Sequence, residues 1–365
     1  MATTTTNYGF DVPTSSDLVK NGATQIALLG QDIDTFLFRP FTRNGVLNSG
    51  MNIWQRGTSI AVAASSKTFT TDRWWAARGG SVAGSTVSRQ VTGDTTNLPF
   101  IQYCARVQRD SGNASTQFIS FSQDFETVNS IPYSGRTVTL SFYARAGANF
   151  SSASSALPVS VVTGTGTDQS LSSGYTGQTT AFSGTATLTT TWQRFTFTGA
   201  IGATATQIGL QPYYVPVGTA GANDYFEITG VQLEVGNQAS PYSPNAATIQ
   251  GELAACQRYY WRSSTTNLYG SFATGLGQSA TVGDFMVPLS VPMRVVPTSV
   301  DFSTLQVNTG ANAYAVSALV INTNMATTTT GAVTTTNATG LNAGQFYLLR
   351  GANSASAYVG FSAEL

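Results

Sequence analysis

One short segment of the chain combines aromatic and amide side chains in an arrangement that could hold a sugar. In TQIGLQPYYVPV, residues 206–217, strand alternation places Ile208 and Leu210 on one face and polar side chains on the other. Aromatic rings stack on the C–H faces of sugars, and amides hold hydroxyl groups through hydrogen bonds. The candidate binding residues of this segment are Gln207, Gln211 and Tyr213, with Tyr214 following across a turn bounded by prolines.

The same pattern is also typical of two roles without a ligand. These side chains could contact a neighbouring subunit of an oligomer, or they could simply cover a β-sandwich, and we favour these two roles over a binding face. Trp75 is a further candidate, because it follows Trp74 directly in FTTDRWW and adjacent strand residues point to opposite faces. If Trp74 is buried, Trp75 faces outward, where it meets a sugar, another subunit or water. We interpret the neighbouring Asp72 and Arg73 mainly as a corner of the fold.

The chain lacks the side chains that most catalytic sites use. It contains no histidine, which removes the commonest general base and most zinc sites. Its acidic residues form no pair that stands out for glycoside hydrolysis. Cys104 and Cys256 are too far apart in sequence for a metal-binding motif, and we interpret them as buried free thiols. We therefore predict that the protein is not an enzyme and that it uses no cofactor. The sequence indicates no metal site, since no loop is dense in Asp, and a calcium site built from Asp and main-chain oxygens stays open.

The charge balance excludes two classes of partner. Lysine and arginine total 17 and aspartate and glutamate total 17, so no net field draws the protein to nucleic acid or to an anionic membrane. The N-terminus lacks the basic and apolar regions of a signal peptide, and no apolar run reaches the ~18 residues of a membrane span. We expect a soluble protein made in a reducing compartment, with no nucleic-acid partner and no membrane insertion.

Composition and alternation predict a mainly β protein. The chain has 36 glycines and long tracts of Thr, Ser and Ala, which favour strands and turns over helices. In TVTLSFYAR, residues 137–145, apolar and polar side chains alternate cleanly. In DYFEITGVQLEVG the apolar parity changes at Gly230, which predicts a β-bulge that keeps both apolar sets on one core. Short strands between turn signals predict a β-sandwich of the jelly-roll kind.

The chain divides into four predicted segments. They are an N-terminal segment with a short helix (1–45), the jelly-roll sandwich (46–242), a connector helix (243–262) and a second all-β domain (263–365). The connector carries an apolar stripe at helical spacing, from Ile249 to Tyr260. In the second β domain, the Thr-rich tract between Asn322 and Asn342 is interpreted as a flexible loop in preference to a hairpin.

The N-terminal helix carries a short apolar seam. A cluster of N-cap candidates, Thr14, Ser15 and Ser16, precedes it, and Pro40 stops the pattern. The seam residues follow the spacing of a coiled coil and are Ile26, Leu29, Ile33 and Phe36. Two heptads are too short to hold chains together alone. Packing on its own chain and self-association therefore both stay open.

A set of motifs, taken in order, resembles a known family. NSGMNIWQRGTS, FTTDRWW, TVTLSFYARA, TTWQRFTFTG, ITGVQLEVG followed by SPYSP, and CQRYYWRS resemble the β-sandwich module of bacteriophage and prophage tail-fibre and other virion fibre proteins. That module is similar to carbohydrate-binding jelly rolls. The resemblance covers about residues 45–262, and VPLSVPMRVVPT and YVGFSAEL are similar to regions that follow the module in such proteins.

The resemblance implies a non-enzymatic structural protein of the virion, assembled in the host cytoplasm. It implies a homotrimeric fibre whose first 45 residues dock onto other tail, collar or head proteins. The fibre would attach to a glycan of the host surface through either the sandwich or the second β domain. In that setting three copies of the Ile26 to Phe36 seam would begin a stalk. One alternative is a decoration protein of the capsid, collar or tail with no ligand. A less favoured alternative is a polysaccharide depolymerase, because β-helix repeats and an evident carboxylate pair are missing from the sequence.

Overall fold

The computed structural model describes residues 3–4, 10–14, 18–37, 44–79, 84–98 and 100–365. The chain divides into two compact units, Met1–Ala247 and Thr248–Leu365. Strands dominate the described residues of both units, which confirms the predicted mainly β fold class.

The first unit begins with a short strand pair and a helix. Strands β1 (Thr3–Thr4) and β2 (Asp11–Val12) pair antiparallel, and a 3₁₀ turn at Val19–Asn21 leads into helix α1 (Gly22–Leu37). The helix therefore begins later than the predicted N-cap cluster. Thr14 precedes the 3₁₀ turn, while Ser15 and Ser16 lie outside the described residues.

Two six-stranded sheets form the β-sandwich of the first unit. In chain order its elements are β3 (Ser59–Ala61), β4 (Thr68–Phe69), β5 (Trp75–Arg78), β6 (Ser85–Val91), β7 (Tyr103–Arg109), β8 (Ile119–Asp124), α2 (Thr127–Ser130), β9 (Thr137–Ala146), β10 (Ala156–Gly164), β11 (Thr179–Thr187), β12 (Gln193–Ala200), β13 (Gln207–Tyr214) and β14 (Tyr225–Val235). The sheet orders are β11-β10-β13-β8-β5-β4 and β12-β9-β14-β7-β6-β3. The chain passes repeatedly from one sheet to the other, which is the connectivity of a jelly roll.

The sandwich core follows the predicted alternation. The apolar set of β9 is buried between the sheets, and the apolar residues on both sides of Gly230 in β14 join the same core. Gly230 has φ +57°, and the register between β14 and β9 shifts between Thr229 and Gln232. The predicted β-bulge is confirmed, because one extra residue at that point keeps both apolar parities facing inward. A Cβ at Gly230 would lie 2.8 Å from Ile101 Cδ1.

The second unit contains a helix, a closed barrel and a small sheet. Its elements are α3 (Ile249–Gln257), β15 (Tyr260–Ser264), β16 (Ser271–Gly277), β17 (Val282–Pro288), β18 (Ser299–Ser303), β19 (Leu305–Asn308), β20 (Ala313–Ile321), β21 (Thr330–Asn337), β22 (Phe346–Gly351) and β23 (Tyr358–Ser362). The barrel order is β16-β17-β21-β20-β19-β22, and the sheet order is β15-β23-β18.

Two local predictions for this unit are wrong. Most of the Thr-rich tract's second half is not a flexible loop, because Thr330–Asn337 form β21, which pairs with β20 on one side and with β17 on the other. Threonine is β-branched and packs well in a pleated sheet, and closing the barrel provides both partners. The helical stripe also ends early, since α3 stops at Gln257 and Tyr260 opens strand β15.

Candidate functional site

A groove of about 540 Å³ opens on the outer face of the sheet that contains β5, β8 and β13. Trp75, Ala77, Ser120 and Gln211 line it, whereas their strand neighbours, such as Phe121, pack in the sandwich core. Alternation along each strand therefore separates the two faces. Two loops, residues 65–67 and 171–173, form its walls. We call this depression the outer groove.

Small side chains in the middle of the sheet create the depression. Ala77 of β5 pairs with Ser120 of β8, and Ser120 pairs in turn with Tyr213 of β13. One row along, Trp75 pairs with Ser122. Larger side chains stand around these residues, so the middle of the sheet is lower than its surroundings. The floor is consequently a strip of methyl and hydroxyl groups that an extended ligand could cross.

Two side chains at the outer groove have unused binding capacity. The Phe118 ring precedes β8 and is 44% exposed. Gln211 is half-buried, and its amide makes no hydrogen bond with any residue that the structure describes. An aromatic ring and an amide therefore border one groove.

A buried carboxylate holds the walls of the outer groove in place. Asp124, at the end of β8, is 2% exposed. Its carboxylate oxygens accept hydrogen bonds from Leu171 N (3.0 Å), Tyr175 Oη (2.8 Å), Trp75 Nε1 (2.9 Å), Ser170 Oγ (2.8 Å) and Lys67 Nζ (3.2 Å). These donors come from β5 and from both walls, so this one side chain connects the floor with the loops on either side.

The Asp124 carboxylate also affects the ionisation of a neighbouring group. Burial first, and then the negative charge and hydrogen bond of Asp124, raise the pKa of the Tyr175 phenol well above its usual value. Tyr175 therefore stays a neutral donor to the carboxylate. Lys67 compensates the carboxylate charge, and its ammonium group also lies 5.1 Å from the centroid of the Trp75 ring.

The orientation predicted for Trp75 is confirmed, but the ring is covered. Trp74 is buried in the sandwich core and stacks on Phe121 with ring centroids 4.8 Å apart. Trp75 points to the other face, where it is 2% exposed because it packs against the loop that contains Leu171 and Tyr175. It is thus part of the wall and floor of the outer groove, and it presents no open ring face.

The exposure predicted for Gln207 and Tyr214 is wrong. Gln207 has the outer parity, yet it is fully buried, and its amide nitrogen donates to Thr127 Oγ1 at 2.6 Å. Its amide oxygen accepts from Gln169 N at 2.6 Å. Tyr214 is fully buried on the core side. No turn separates it from Tyr213, because β13 runs straight through Pro212, and consecutive strand residues face opposite ways.

Gln211 and Tyr213 lie on the outer face of β13, as the alternation of the sequence predicts, and both are half-buried. The structure therefore brings Gln211 and Trp75 together in one groove. Sequence reasoning missed Phe118. The alternation of FISFSQD, residues 118–124, already places Phe118 on the same face of the strand as Ser120.

The predicted apolar seam lies on helix α1. Ile26 is 64% exposed and Ile33 is 40% exposed, whereas Leu29 is half-buried. The side chain of Phe36 lies outside the described residues. Two of the four seam residues thus present apolar surface to solvent in the single chain. The trimeric association of this seam stays a prediction.

Other depressions lie elsewhere on the described surface. One, of about 520 Å³, is lined by Phe100, Asp94 and their neighbours, and the Phe100 ring is 95% exposed. Another, of about 260 Å³, lies on the barrel near Asp284 and Phe346. Neither contains a residue that the sequence singled out for binding. They supply matched positions for control experiments.

The described residues contain no group of three or more His, Cys, Asp or Glu side chains that could hold a metal ion. Cys104 and Cys256 are free and buried. Burial raises the pKa of the Cys104 thiol above its usual value. Within the same described ranges, none of the helices is both long and apolar enough to span a bilayer.

Neither a protein-family model nor a curated protein matches the chain. Among solved structures, the chain is similar to a CBM4 module at 22% identity, over 36% of this chain and 71% of the module, with a TM-score of 0.26. It is similar to the enzymatically active domain of tailspike protein 4 of bacteriophage CBA120 at 12% identity, over 53% of this chain and 21% of that one, with a TM-score of 0.33.

A third similar structure is TmCBM61 in complex with β-1,4-galactotriose, at 12% identity, over 53% of this chain and all of that one, with a TM-score of 0.31. These neighbours are carbohydrate-binding modules and a phage tailspike domain. Because their TM-scores lie between 0.26 and 0.33, the similarities assign neither a family nor a ligand to this chain.

Proposed function

We propose that this chain binds a glycan in the outer groove, and that it does so as a non-enzymatic fibre protein of a bacteriophage virion. The observation that supports glycan binding is the combination of a floor of small residues, Ala77 and Ser120, with an exposed ring at Phe118 and, at Gln211, an amide that no described residue engages. Sugar-binding sites combine these elements, because rings stack on C–H faces and amides order hydroxyl groups.

The geometry suggests how a saccharide would lie. One sugar unit would stack on Phe118, and the next would cross the floor toward Gln211, with the hydroxyl groups of the 171–173 loop on one side. The strand pairing and the Asp124 carboxylate hold these groups before a ligand arrives. Preorganisation of this kind lowers the entropic cost of binding.

The proposal of a non-enzymatic role rests on which kinds of side chain the chain and the outer groove contain. The chain has no histidine. No carboxylate lines the outer groove among the residues that the structure describes. Glycoside hydrolysis needs a pair of carboxyl groups flanking the bond that is cut, so the outer groove is suited to holding a saccharide and not to cleaving it.

The virion role rests on the order of motifs along the chain and on helix α1. The exposed Ile26 and Ile33 would become buried if three copies of α1 associated in parallel. We propose a homotrimer in which residues 1–45 dock onto other virion proteins and the sandwich faces the host surface. In this arrangement three outer grooves act together, and weak single sites add up to firm attachment.

A cell-binding assay with the full chain tests the glycan proposal. We expect saturable binding to host cells that is lost after periodate treatment of the surface glycans. Phe118→Ala should weaken binding about fivefold, because stacking on one ring contributes on the order of 1 kcal/mol. Phe100→Ala is the matched control, since it removes an exposed phenylalanine from another depression. Wild-type protein that binds only other virion proteins would favour the ligand-free decoration role.

Light scattering on the eluting protein tests the trimer. We expect a mass of three chains for the wild type. The double change Ile26→Lys and Ile33→Lys should yield monomers that keep their fold, because both side chains are exposed in the single chain. A monomeric wild type at micromolar concentration would contradict the trimer and leave the outer groove unaffected.

A further inference from the structure

We infer that the second unit carries a self-association face on the outside of its barrel, where the Phe346 ring of one copy of the chain fills a depression on the next copy. This inference rests on the proposed homotrimer, because it names a second contact between the same chains. It follows from an exposed apolar surface, from the shape of that surface and from its charges.

Four exposed apolar side chains form one continuous patch on the barrel. Phe346 is 76% exposed, Met286 53%, Leu348 38% and Leu276 37%. They lie on three adjacent strands, since β16 pairs with β17 on one side and with β22 on the other. Leu276 pairs directly with Phe346, and Thr274 pairs with both Met286 and Leu348. We call these four side chains, with Thr274 between them, the barrel patch.

Strand alternation shows that the barrel patch faces outward. The residues that alternate with it are buried in the core of the second unit and are Ala273, Phe285, Val287, Tyr347 and Leu349. Consecutive strand residues point to opposite faces, so the patch side chains lie on the outer surface. The largest apolar patch on a soluble protein typically covers a few hundred Å² and is often an interaction site. The exposed fractions of four large side chains place the barrel patch in that range.

The barrel patch contains a protruding ring and a depression side by side. The depression has a volume of about 260 Å³, and its lining includes Leu276, Met286 and Met325. The Phe346 ring stands at its edge. A cavity of about 150 Å³ holds benzene, so this depression is large enough for the phenyl ring of another chain. Methionine side chains adapt to an inserted ring and make favourable sulfur–aromatic contacts with it.

The charges and the shape favour another copy of this chain as the partner. Asp284 is the one ionisable side chain that lines the depression on the described surface. Its carboxylate accepts hydrogen bonds from Asn322 Nδ2, at 3.2 Å, and from Thr334 Oγ1 of the same chain. The barrel patch therefore offers mainly apolar surface, which a second barrel patch matches in size. A ring beside a depression is also self-complementary, as contacts in symmetric oligomers require.

The barrel patch is too small to hold chains together alone. Stable interfaces bury about 800 Å² on each partner. The barrel contact therefore adds to the proposed association of helix α1, because chains joined at one point meet at a second point more readily. In the homotrimer each copy gives its Phe346 ring to one neighbour and receives the ring of the other.

Phe346→Trp in the full chain reports this contact by fluorescence. The five native tryptophans are buried, so iodide should reach only the introduced indole. We expect quenching of that indole to be severalfold weaker in the trimer than in a chain that also carries Ile26→Lys and Ile33→Lys and is monomeric. Phe100→Trp is the matched control, since Phe100 is 95% exposed on the first unit and should be quenched equally in both backgrounds.

A second measurement does not use the introduced tryptophan. Phe346→Ser should raise the dissociation constant of the trimer at least about tenfold, because burial of a phenylalanine ring is lost. The ring is 76% exposed in the single chain, so this change should leave the fold intact. Phe100→Ser should leave the dissociation constant unchanged.

The outcomes separate the barrel contact from the trimer beneath it. A trimer whose introduced indole stays fully quenched by iodide would overturn the inference and leave the α1 association intact. Protection that appears only after cellopentaose or oligolysine is added would also overturn it, because it would assign the barrel patch to a ligand. A monomeric wild type at micromolar concentration would count against the proposed trimer. In that case, protection that develops as concentration rises would still support the barrel contact, and continued quenching would overturn it.

Discussion

Replacing Asp124 by asparagine tests whether one buried carboxylate builds the outer groove. Asparagine has the same shape, but it has one acceptor oxygen and one NH₂ group where the carboxylate has two acceptors. The amide oxygen is best placed toward Trp75 Nε1 and Lys67, because that side holds a fixed N–H donor and a cation. The NH₂ group then faces Leu171 N and Tyr175 Oη.

The two groups on that side respond differently. The Tyr175 hydroxyl can rotate and accept a hydrogen bond, whereas the Leu171 N–H cannot and loses its partner. A buried donor without a partner costs about 1–3 kcal/mol. The loss of the Lys67 ion pair adds about 1 kcal/mol or less, since Lys67 is partly exposed and can recover hydration. Asp124→Asn should therefore lower the free energy of unfolding of the first unit by about 1–4 kcal/mol.

Urea unfolding followed by tryptophan fluorescence measures this loss, because the first unit holds Trp54, Trp74, Trp75 and Trp192. Asp110→Asn is the control, since Asp110 is exposed and should change stability by less than about 0.5 kcal/mol. The variant should also lose glycan affinity, because the 170–175 loop is no longer held against β5. An Asp124→Asn protein as stable as the control would refute the role assigned to this carboxylate.

Two further predictions concern pH and backbone conformation. Burial raises the pKa of both Tyr175 and Tyr214 above the value near 10 that these phenols have in the unfolded chain. Above pH 10 the native state therefore binds more protons than the unfolded state. As a result, the free energy of unfolding should fall as pH rises from about 10. The urea concentration at the unfolding midpoint, measured from pH 8 to 11, reports this fall. The fall should be smaller in Tyr175→Phe. Midpoints that stay level to pH 11 would contradict the prediction. Gly230→Ala should destabilise by about 2–4 kcal/mol in the same assay, because alanine is strained at φ +57° and its Cβ would press on Ile101. Gly202→Ala is the control and should have little effect on stability, because a Cβ at Gly202 would meet no atom within 4 Å. Equal losses of unfolding free energy for the two changes would show that the bulge does not require glycine at position 230.

The outer groove shows how much of a candidate binding site can be predicted from the local sequence pattern. The sequence identified Trp75 and Gln211, which do line it, because parity along a strand follows from backbone geometry alone. It missed Phe118, and it included Gln207 and Tyr214, which are buried. Parity tells which face a side chain takes, but it does not tell what else covers that face.

The mainly β class, the alternation of β9 and the bulge at Gly230 follow from the amino-acid sequence alone. Each of these depends on contacts between neighbours along the chain or on the conformational freedom of a single residue. Two other features depend on contacts across the fold: Thr330–Asn337 of the Thr-rich tract complete a barrel, and Trp75 lies under a loop. That loop is held by Asp124, which is 47 residues from Leu171 along the chain. Such long-range contacts follow from how strands pair and loops fold back, and no local pattern specifies them.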